Sequence, residues 1–192
     1  MSEESLRPVT VDEHRTQANL NLKKGQNAVN EALNFPTGDA FEQDLTTILN
    51  SDWEEKGESI SIALVDCDDF LHINEDFGRN EGDRILIMLA NAIKECIRKA
   101  DVVIRWGGEE FVVFLLGADL EAGVRIGEEI RQKVEQMDYG VCPVTISVGV
   151  SQYDLGDYRA TIRRADKALY YAKATGRNRV VTDKEVPEDA SV

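Results

Sequence analysis

The sequence has few of the residues that build covalent or histidine-based sites. It contains three cysteines, Cys67, Cys96 and Cys142, with no CxxC spacing, and two histidines, His14 and His72. This scarcity excludes a disulfide scaffold, a common zinc site and a Ser-His-Asp triad. Because isolated cysteines are typical of a reducing compartment, we expect a cytoplasmic protein.

Positive charge and long apolar runs are also scarce. Lys and Arg number 22 against 36 Asp and Glu, which gives a net charge of −14 over 192 residues. Such a surface repels phosphate backbones, so we expect no nucleic-acid partner, and a phosphorylated small substrate would need metal ions or a local basic cluster. The longest apolar run, 111–116, is far shorter than the roughly 20 residues of a membrane helix. With no signal-peptide pattern at the start, we predict no direct membrane insertion.

The apolar pattern that is present predicts an α/β layered domain. Five segments carry strand-like apolar residues: 60–64, 102–104, 111–116, 144–150 and 179–181. Three segments have helical spacing: 85–97, 124–137 and 162–172. The order β-α-β-β-α-β-α-β implies a sheet with helices packed against it. We interpret 1–34 as an N-terminal arm or helix for dimerisation or signal coupling, 35–181 as the core domain, and 182–192 as a loose acidic tail.

Two acidic clusters lie at the ends of predicted strands. Asp66, Asp68 and Asp69 follow the first strand, and Glu109 and Glu110 lie in the hairpin turn before the third. If these strands are neighbours, Asp66 and Glu109 can converge on hard cations such as Mg²⁺, which serve attack at phosphorus. A merely solvated role is the alternative, and we favour it for Asp69. The adjacent Gly107-Gly108 pair favours function for the glutamates, because glycine lets the backbone approach a ligand closely.

Four segments match, in order, the motifs of one family. Arg105-Trp-Gly-Gly-Glu-Glu-Phe111 is similar to a GGEEF signature, residues 66–74 (DCDDFLHIN) to a metal-binding segment, Gly82-Asp83 to a GD step, and residues 163–178 to a closing helix and loop. Over roughly 35–181 the chain therefore resembles the GGDEF family of diguanylate cyclases. The resemblance implies a nucleotide-cyclase or palm-like fold, with a central, mainly antiparallel sheet of about five strands flanked by helices.

The resemblance also implies a metal site. Asp66, the backbone carbonyl of Cys67 and Glu109 would hold two Mg²⁺ or Mn²⁺ ions per active site, which bridge the triphosphate of GTP. Glu110 would be either a further metal ligand or the group that handles the proton of the 3′-hydroxyl. The two roles of Glu110 stay open at this point.

The nucleotide contacts follow in the same way. Asn74 and Asp83 would bind the guanine edge, and a carboxylate that accepts from guanine N1–H and N2–H₂ disfavours ATP and a different dinucleotide product. The remaining substrate-binding positions implied are Gly107, Gly108, Lys173 and Arg177. The two glycines would keep side chains clear of the nucleotide, and the two cations would contact phosphates.

The implied reaction joins two GTP molecules into cyclic di-GMP and releases two pyrophosphates. Each 3′-hydroxyl attacks the α-phosphate of the other GTP, so two domains must face each other and a homodimer is implied. Arg98 and Asp101 match the family's RxxD motif, which would bind the product at an inhibitory site.

Two departures from the family pattern support an alternative function. Leu71 stands where members commonly carry Lys, and Phe35-Pro-Thr-Gly-Asp39 is only faintly similar to the family's LTGLxNR segment. The alternative is a weak or inactive module that senses cyclic di-GMP through Arg98 and Asp101, or GTP through the former active site. Because the carboxylate set is complete, we favour the active cyclase.

Overall fold

The structure is a computed structural model that describes residues 59–154 and 157–188. The described part contains five strands and four helices, in the order β1 (Ile60–Cys67), α1 (Phe70–Phe77), α2 (Arg79–Cys96), β2 (Val102–Arg105), β3 (Glu110–Leu116), α3 (Leu120–Gln136), β4 (Ile146–Gln152), α4 (Tyr158–Ala174) and β5 (Val180–Thr182). The predicted arm at 1–34 and the Phe35–Asp39 segment lie outside the described residues.

The five strands form one sheet in the order β2-β3-β1-β4-β5. The first three neighbouring pairs are antiparallel, and β4 and β5 are parallel. The predicted α/β fold, with a mainly antiparallel five-stranded sheet flanked by helices, is confirmed. The pattern missed α1, because this eight-residue helix buries just two side chains, Phe70 and Ile73, and so shows no sustained periodicity.

Both faces of the sheet are covered, which is why β1 is buried along its whole length. Its residues alternate between two cores, as the period of a strand requires. Ile62 and Leu64 pack into the core beneath α4, whereas Ala63 and Val65 join the core beneath α2 and α3. The alternation places the next side chain, that of Asp66, on the α4 side of the sheet.

Helix α4 lies directly on the sheet at Gly149 of β4. A Cβ atom there would come within 2.0 Å of the Ala165 carbonyl oxygen, so the packing admits no side chain. Such close contact fixes the height of α4 above β1. The last turn of α4, which carries Lys173, is thereby held over the end of the central strand.

The predicted acidic tail begins with residues that pack against the domain. Thr182 belongs to β5, and the Asp183 carboxylate accepts hydrogen bonds from Ser151 (2.6 Å) and Arg164 (3.0 Å). The first two residues of the segment are therefore held to the sheet and to α4. No helix in the described part of the chain is both long enough and apolar enough to cross a membrane.

Candidate functional site

The two acidic clusters meet at one end of the sheet. In the antiparallel register of β1 and β3, Asp66 lies directly opposite Glu110. Glu109 is the residue before Glu110 and lies in the turn between β2 and β3. The turn is closed by the Trp106 amide, which donates to the Glu110 carbonyl at 2.9 Å. The predicted convergence of these carboxylates therefore rests on strand pairing and not on sequence proximity.

The Asp66 carboxylate is almost completely buried, with 3% of the residue exposed. The Lys173 Nζ atom of α4 lies 2.6 Å from its Oδ1, which otherwise accepts no hydrogen bond of regular geometry from the described residues. Burial raises the pKa of Asp66 from 3.8 to about 7, although Lys173 opposes the rise. Glu109 and Glu110 raise it further by charge repulsion. The negative charge of the Asp66 carboxylate is therefore only partly compensated by Lys173.

Glu110 lies in a similarly unfavourable environment. Burial raises its pKa, Asp166 and Glu109 add to the rise, and Lys173 opposes it. A cleft of about 660 Å³ opens beside it, lined by Leu64, Trp106, Glu110, Arg159, Ile162, Arg163 and Asp166. Glu110 is thus reachable by a ligand although it is half-buried.

The donor set at this end of the sheet suits a hard cation. Carboxylate and carbonyl oxygens are the ligands that Mg²⁺ prefers, and Asp66, Glu109 and Glu110 lie close enough together for charge repulsion to raise the pKa of Asp66 and of Glu110, with the Lys173 ammonium beside Asp66. Within residues 59–154 and 157–188, no three His, Cys, Asp or Glu side chains already converge in a metal-binding arrangement. The residue types fit a divalent ion, and binding one requires the side chains to close on it.

The predicted guanine-binding residues lie on consecutive helices. Asn74 is on α1, and Asp83 follows Gly82 near the start of α2. A Cβ atom on Gly82 would lie 2.1 Å from the Asn74 Oδ1 atom. The glycine of the GD step therefore makes room for the Asn74 side chain beside the start of α2.

Arg105 connects the guanine side to the acidic turn. Its Nε donates to the Gly108 carbonyl at 2.9 Å, and Asp83 and Glu109 are close enough to oppose the lowering of its pKa by burial. One terminal nitrogen, Nη1, is buried with no hydrogen-bond partner among the described residues. Sequence reasoning gave Arg105 no role beyond its motif; the structure shows that it braces the turn.

Gly108 has no structural need to be glycine in the free domain. Apart from Gly108 and its two chain neighbours, no described residue has an atom within 4 Å of where its Cβ would be, and its φ lies outside the left-handed region. Gly107 differs, because its Cβ would meet the Glu110 Oε2 atom at 2.8 Å. Open space at Gly108 is compatible with the predicted close approach of a nucleotide.

The second predicted phosphate contact, Arg177, lies in the turn after α4. Its Nε is 3.2 Å from Oδ1 of Asp69, with the two side chains 48% and 57% exposed. We interpreted Asp69 as merely solvated; it is solvated, and it also pairs with Arg177. An exposed pair of this kind contributes little to stability, so Arg177 can leave it for a better anion.

The RxxD residues form a closed turn at the start of β2. The Asp101 carboxylate accepts from the Arg98 amide at 2.8 Å and from the Leu116 amide at 3.0 Å. The Arg98 side chain is exposed. Asp101 therefore stabilises this turn with or without a ligand, whereas the Arg98 side chain is available to bind one.

Asp66→Asn should stabilise the metal-free domain at alkaline pH. Because the folded-state pKa of Asp66, about 7, exceeds its ordinary value of 3.8, its contribution to stability is present at low pH and is lost as pH rises towards 7. The amide removes this penalty. We expect a melting temperature on the order of 5 °C above wild type at pH 8 in EDTA, with the gain shrinking towards pH 4.

Thermal unfolding followed by circular dichroism measures this difference. Glu121→Gln, which alters a carboxylate in an exposed ion pair with Arg125, is the matched control and should show no such pH-dependent gain. Added Mg²⁺ should raise the melting temperature of wild type at pH 8 but not that of Asp66→Asn. A lower melting temperature for Asp66→Asn at pH 8 would contradict the assignment of a destabilising buried charge.

Two of the most similar curated relatives are diguanylate cyclases. Diguanylate cyclase A of Treponema denticola is 44% identical over 142 residues, which are 71% of this chain and 38% of that protein. Diguanylate cyclase DgcM of Escherichia coli is 40% identical over 126 residues, 65% of this chain and 31% of that protein. The chain thus spans about a third of the length of these curated relatives.

Solved structures give the same fold. Diguanylate cyclase SiaD of Pseudomonas aeruginosa, solved in complex with its activator SiaC, superposes with a TM-score of 0.73 and 30% identity over 89% of this chain and 68% of that chain. The GGDEF domain of DgcB from Caulobacter crescentus, in complex with c-di-GMP, has a TM-score of 0.70 and 29% identity over 79% of this chain and 93% of that chain.

A family model described as "Diguanylate cyclase, GGDEF domain" matches residues 34–179, well over half of the sequence. The match includes both acidic clusters, the GD step and the turn that carries Arg177. The resemblance predicted from four motifs is therefore confirmed, and this chain belongs to the GGDEF family.

Proposed function

We propose that this domain is a diguanylate cyclase that condenses two GTP molecules into cyclic di-GMP and releases two pyrophosphates. The observation that carries the proposal is the meeting of Asp66, Glu109 and Glu110 with Lys173 at one end of the sheet in a member of the GGDEF family. Three carboxylates against the Lys173 ammonium and the Arg105 guanidinium leave net negative charge, which divalent ions can balance.

Asp66, the carbonyl of Cys67, Glu109 and Glu110 would hold two Mg²⁺ or Mn²⁺ ions. When bound, such ions neutralise phosphate charge and stabilise both the attacking and the leaving oxygens. The buried Oδ1 of Asp66, which has the Lys173 ammonium beside it but no hydrogen bond of regular geometry from the described residues, supports this role, because Lys173 offsets its burial only in part.

Lys173 and Arg177 would bind the phosphates. Each is paired with a carboxylate in the free domain, Lys173 with Asp66 and Arg177 with Asp69. A triphosphate offers both cations a more strongly charged partner, so binding would exchange these ion pairs for phosphate contacts. These two neighbouring cations explain how a protein with a large net negative charge can bind a phosphorylated substrate.

Asn74 and Asp83 would select guanine. The Asp83 carboxylate can accept from guanine N1–H and N2–H₂ together, whereas adenine presents no such pair of donors. An unmet buried acceptor is costly, so this contact favours GTP over ATP. The missing side chain of Gly82, the residue before Asp83, leaves room for the Asn74 amide.

Glu110 would act next to the 3′-hydroxyl, as a further metal ligand or as the acceptor of its proton. A carboxylate whose pKa is raised by burial is a better proton acceptor than an ordinary one, which supports the second role. The attacked α-phosphate belongs to the GTP of a second domain, so catalysis requires a homodimer. Positioning then supplies most of the rate enhancement.

Product feedback would act through Arg98 and Asp101. The exposed Arg98 guanidinium can bind guanine or phosphate of cyclic di-GMP, and Asp101 holds the turn that presents it. Since the three cysteines are free and the substrate is GTP, we propose a cytoplasmic location.

A module that senses nucleotides without turnover is the second candidate. The observation that favours it is Leu71, which is 65% exposed in the first turn of α1, at the position where the family pattern described above implies Lys. It removes one positive charge from the neighbourhood of the phosphates.

Glu109→Ala separates the two candidates. We expect wild type to convert GTP and Mg²⁺ to cyclic di-GMP, and Glu109→Ala to lose at least about a hundredfold in rate because one metal-holding carboxylate is removed. Chromatography of the products measures the rate, and calorimetry with cyclic di-GMP should show that Glu109→Ala binds the product as wild type does.

Arg98→Ala is the reciprocal control, and it should retain turnover and lose product binding. A folded, dimeric wild type that forms no cyclic di-GMP would refute the cyclase and leave the sensor.

Gly108→Ala should impair GTP binding without harming the fold. The added methyl group meets no described atom, so we expect a change in unfolding free energy within about 1 kcal/mol. In the complex the same methyl group would stand where the nucleotide approaches, and we expect KM for GTP to rise about tenfold. Steady-state kinetics and denaturant unfolding check the two effects. Gly149→Ala is the contrasting control and should unfold the domain; an unchanged KM for Gly108→Ala would exclude close approach there.

Leu71→Lys should strengthen substrate binding. An exposed ammonium at this position adds a phosphate contact without disturbing the core, so we expect KM for GTP to fall several-fold at low ionic strength. Kinetics at two salt concentrations measure the change. Leu71→Gln, of similar length without charge, is the control. An effect of equal size in both variants would assign it to the loss of leucine and not to the gained charge.

A further inference from the structure

We propose that Asp68 is a positioning residue, which holds the turn at Gly176–Arg179 against the end of β1 and so sets the place of Arg177. The inference rests on the proposed function, because it concerns how the phosphate-binding cation is placed. Neither the motif roles nor the charge pattern assigned any function to Asp68.

Asp68 is a buried carboxylate that accepts hydrogen bonds from three other residues of the domain. It is 4% exposed, and its Oδ1 accepts from the Ser147 hydroxyl at 2.7 Å. Its Oδ2 accepts from the Thr145 hydroxyl at 2.8 Å and from the Asn178 backbone amide at 3.0 Å. Hydrogen bonds to a charged acceptor are among the stronger ones in proteins. Asp68 therefore joins the β1 end, the start of β4 and the turn after α4.

The turn needs such an anchor because its backbone is strained. Among the described residues, three non-glycine residues have positive φ: Asp69 (53°), Arg177 (57°) and Asn178 (47°). All three lie in the two segments that Asp68 connects. Side chains rarely adopt this conformation unless the surroundings impose it.

A second set of bonds holds the turn from the opposite side. The Asn178 Oδ1 atom accepts from Arg131 at 2.7 Å, and its Nδ2 donates to Glu135 at 2.6 Å. Both partners lie on α3, and Arg131 is largely buried with a side chain 12% exposed. Asn178 is thus fixed by its amide to Asp68 and by its side chain to α3, which leaves Arg177 as the residue directed to solvent.

Three contacts join the end of β1 to α4 and to the turn that follows it. Asp66 pairs with Lys173 of α4, Asp69 pairs with Arg177 of the turn, and Asp68 accepts from the Asn178 amide of the turn. The two ion pairs join carboxylates to the predicted phosphate-binding cations, and both are free to exchange for a ligand. The Asp68 contact has no ligand-facing group, so it stays in place when the ion pairs open. This bond therefore keeps the turn, and with it Arg177, beside the end of β1.

The test measures binding of 3′-deoxy-GTP with Mg²⁺ by calorimetry. This analogue lacks the attacking hydroxyl and cannot be turned over, so affinity is read without catalysis. We expect Arg177→Ala and Asp68→Ala each to weaken binding about tenfold. The double variant should bind no more than about twofold worse than Arg177→Ala, because Asp68 acts through Arg177.

Two further variants separate positioning from general destabilisation. Ser147→Ala removes one bond of the same carboxylate but leaves the bond to the turn, and it should bind within about twofold of wild type. Asp68→Asn should restore most of the affinity, because its carbonyl can still accept from Asn178 while the Ser147 hydroxyl rotates to accept from the amide. If Asp68→Ala does not fold, Asp68→Ser, too short to reach Asn178, takes its place.

The outcomes are distinct. Wild type that binds no 3′-deoxy-GTP would overturn the proposed function and this inference with it. Wild type that binds while folded Asp68→Ala or Asp68→Ser binds equally well would overturn the inference alone. So would multiplicative losses in the double variant, since Asp68 would then act independently of Arg177.

Discussion

The burial of the Asp66 carboxylate at the end of the central strand is the constraint on which the site depends. Strand β1 is covered on both faces and paired on both edges, so its last side chains leave the sheet with little access to water. An isolated charge there is unfavourable, as the raised pKa of Asp66 shows. The surrounding architecture brings Lys173 to this carboxylate from α4, and the proposed metal ions would complete the compensation.

The position of α4 is therefore part of the chemistry. Gly149 allows the helix to lie on β4 without an intervening side chain, and the last turn of α4 then reaches across β1. The same helix carries the charged side chains that line the cleft beside Glu110. One packing contact between a helix and a strand thus helps to determine where the positive charge of the site lies.

Much of this arrangement could be predicted from the sequence, and the exceptions have physical reasons. Long amphipathic segments and alternating strands produce periodic patterns, so the α/β fold and its sheet were predicted. Helix α1 was missed because eight residues are too few for a period to be visible. The bond between Asp68 and the Asn178 amide joins positions 110 residues apart, and no local pattern encodes such a contact. For the same reason Asp69 was interpreted as merely solvated, although its partner Arg177 is close in space.

The register of the β1–β3 pair has a consequence for how such a domain can change over evolution. Asp66 faces Glu110 because β3 pairs with β1 in this register, and neighbouring residues of a strand point to opposite faces. A slip of this register by one residue would turn the Glu110 side chain towards the α2 and α3 core while leaving every letter of the motif present. The register of β3 on β1 is thus a requirement as strict as the identity of the motif residues, and a sequence scan for the motif alone does not read it.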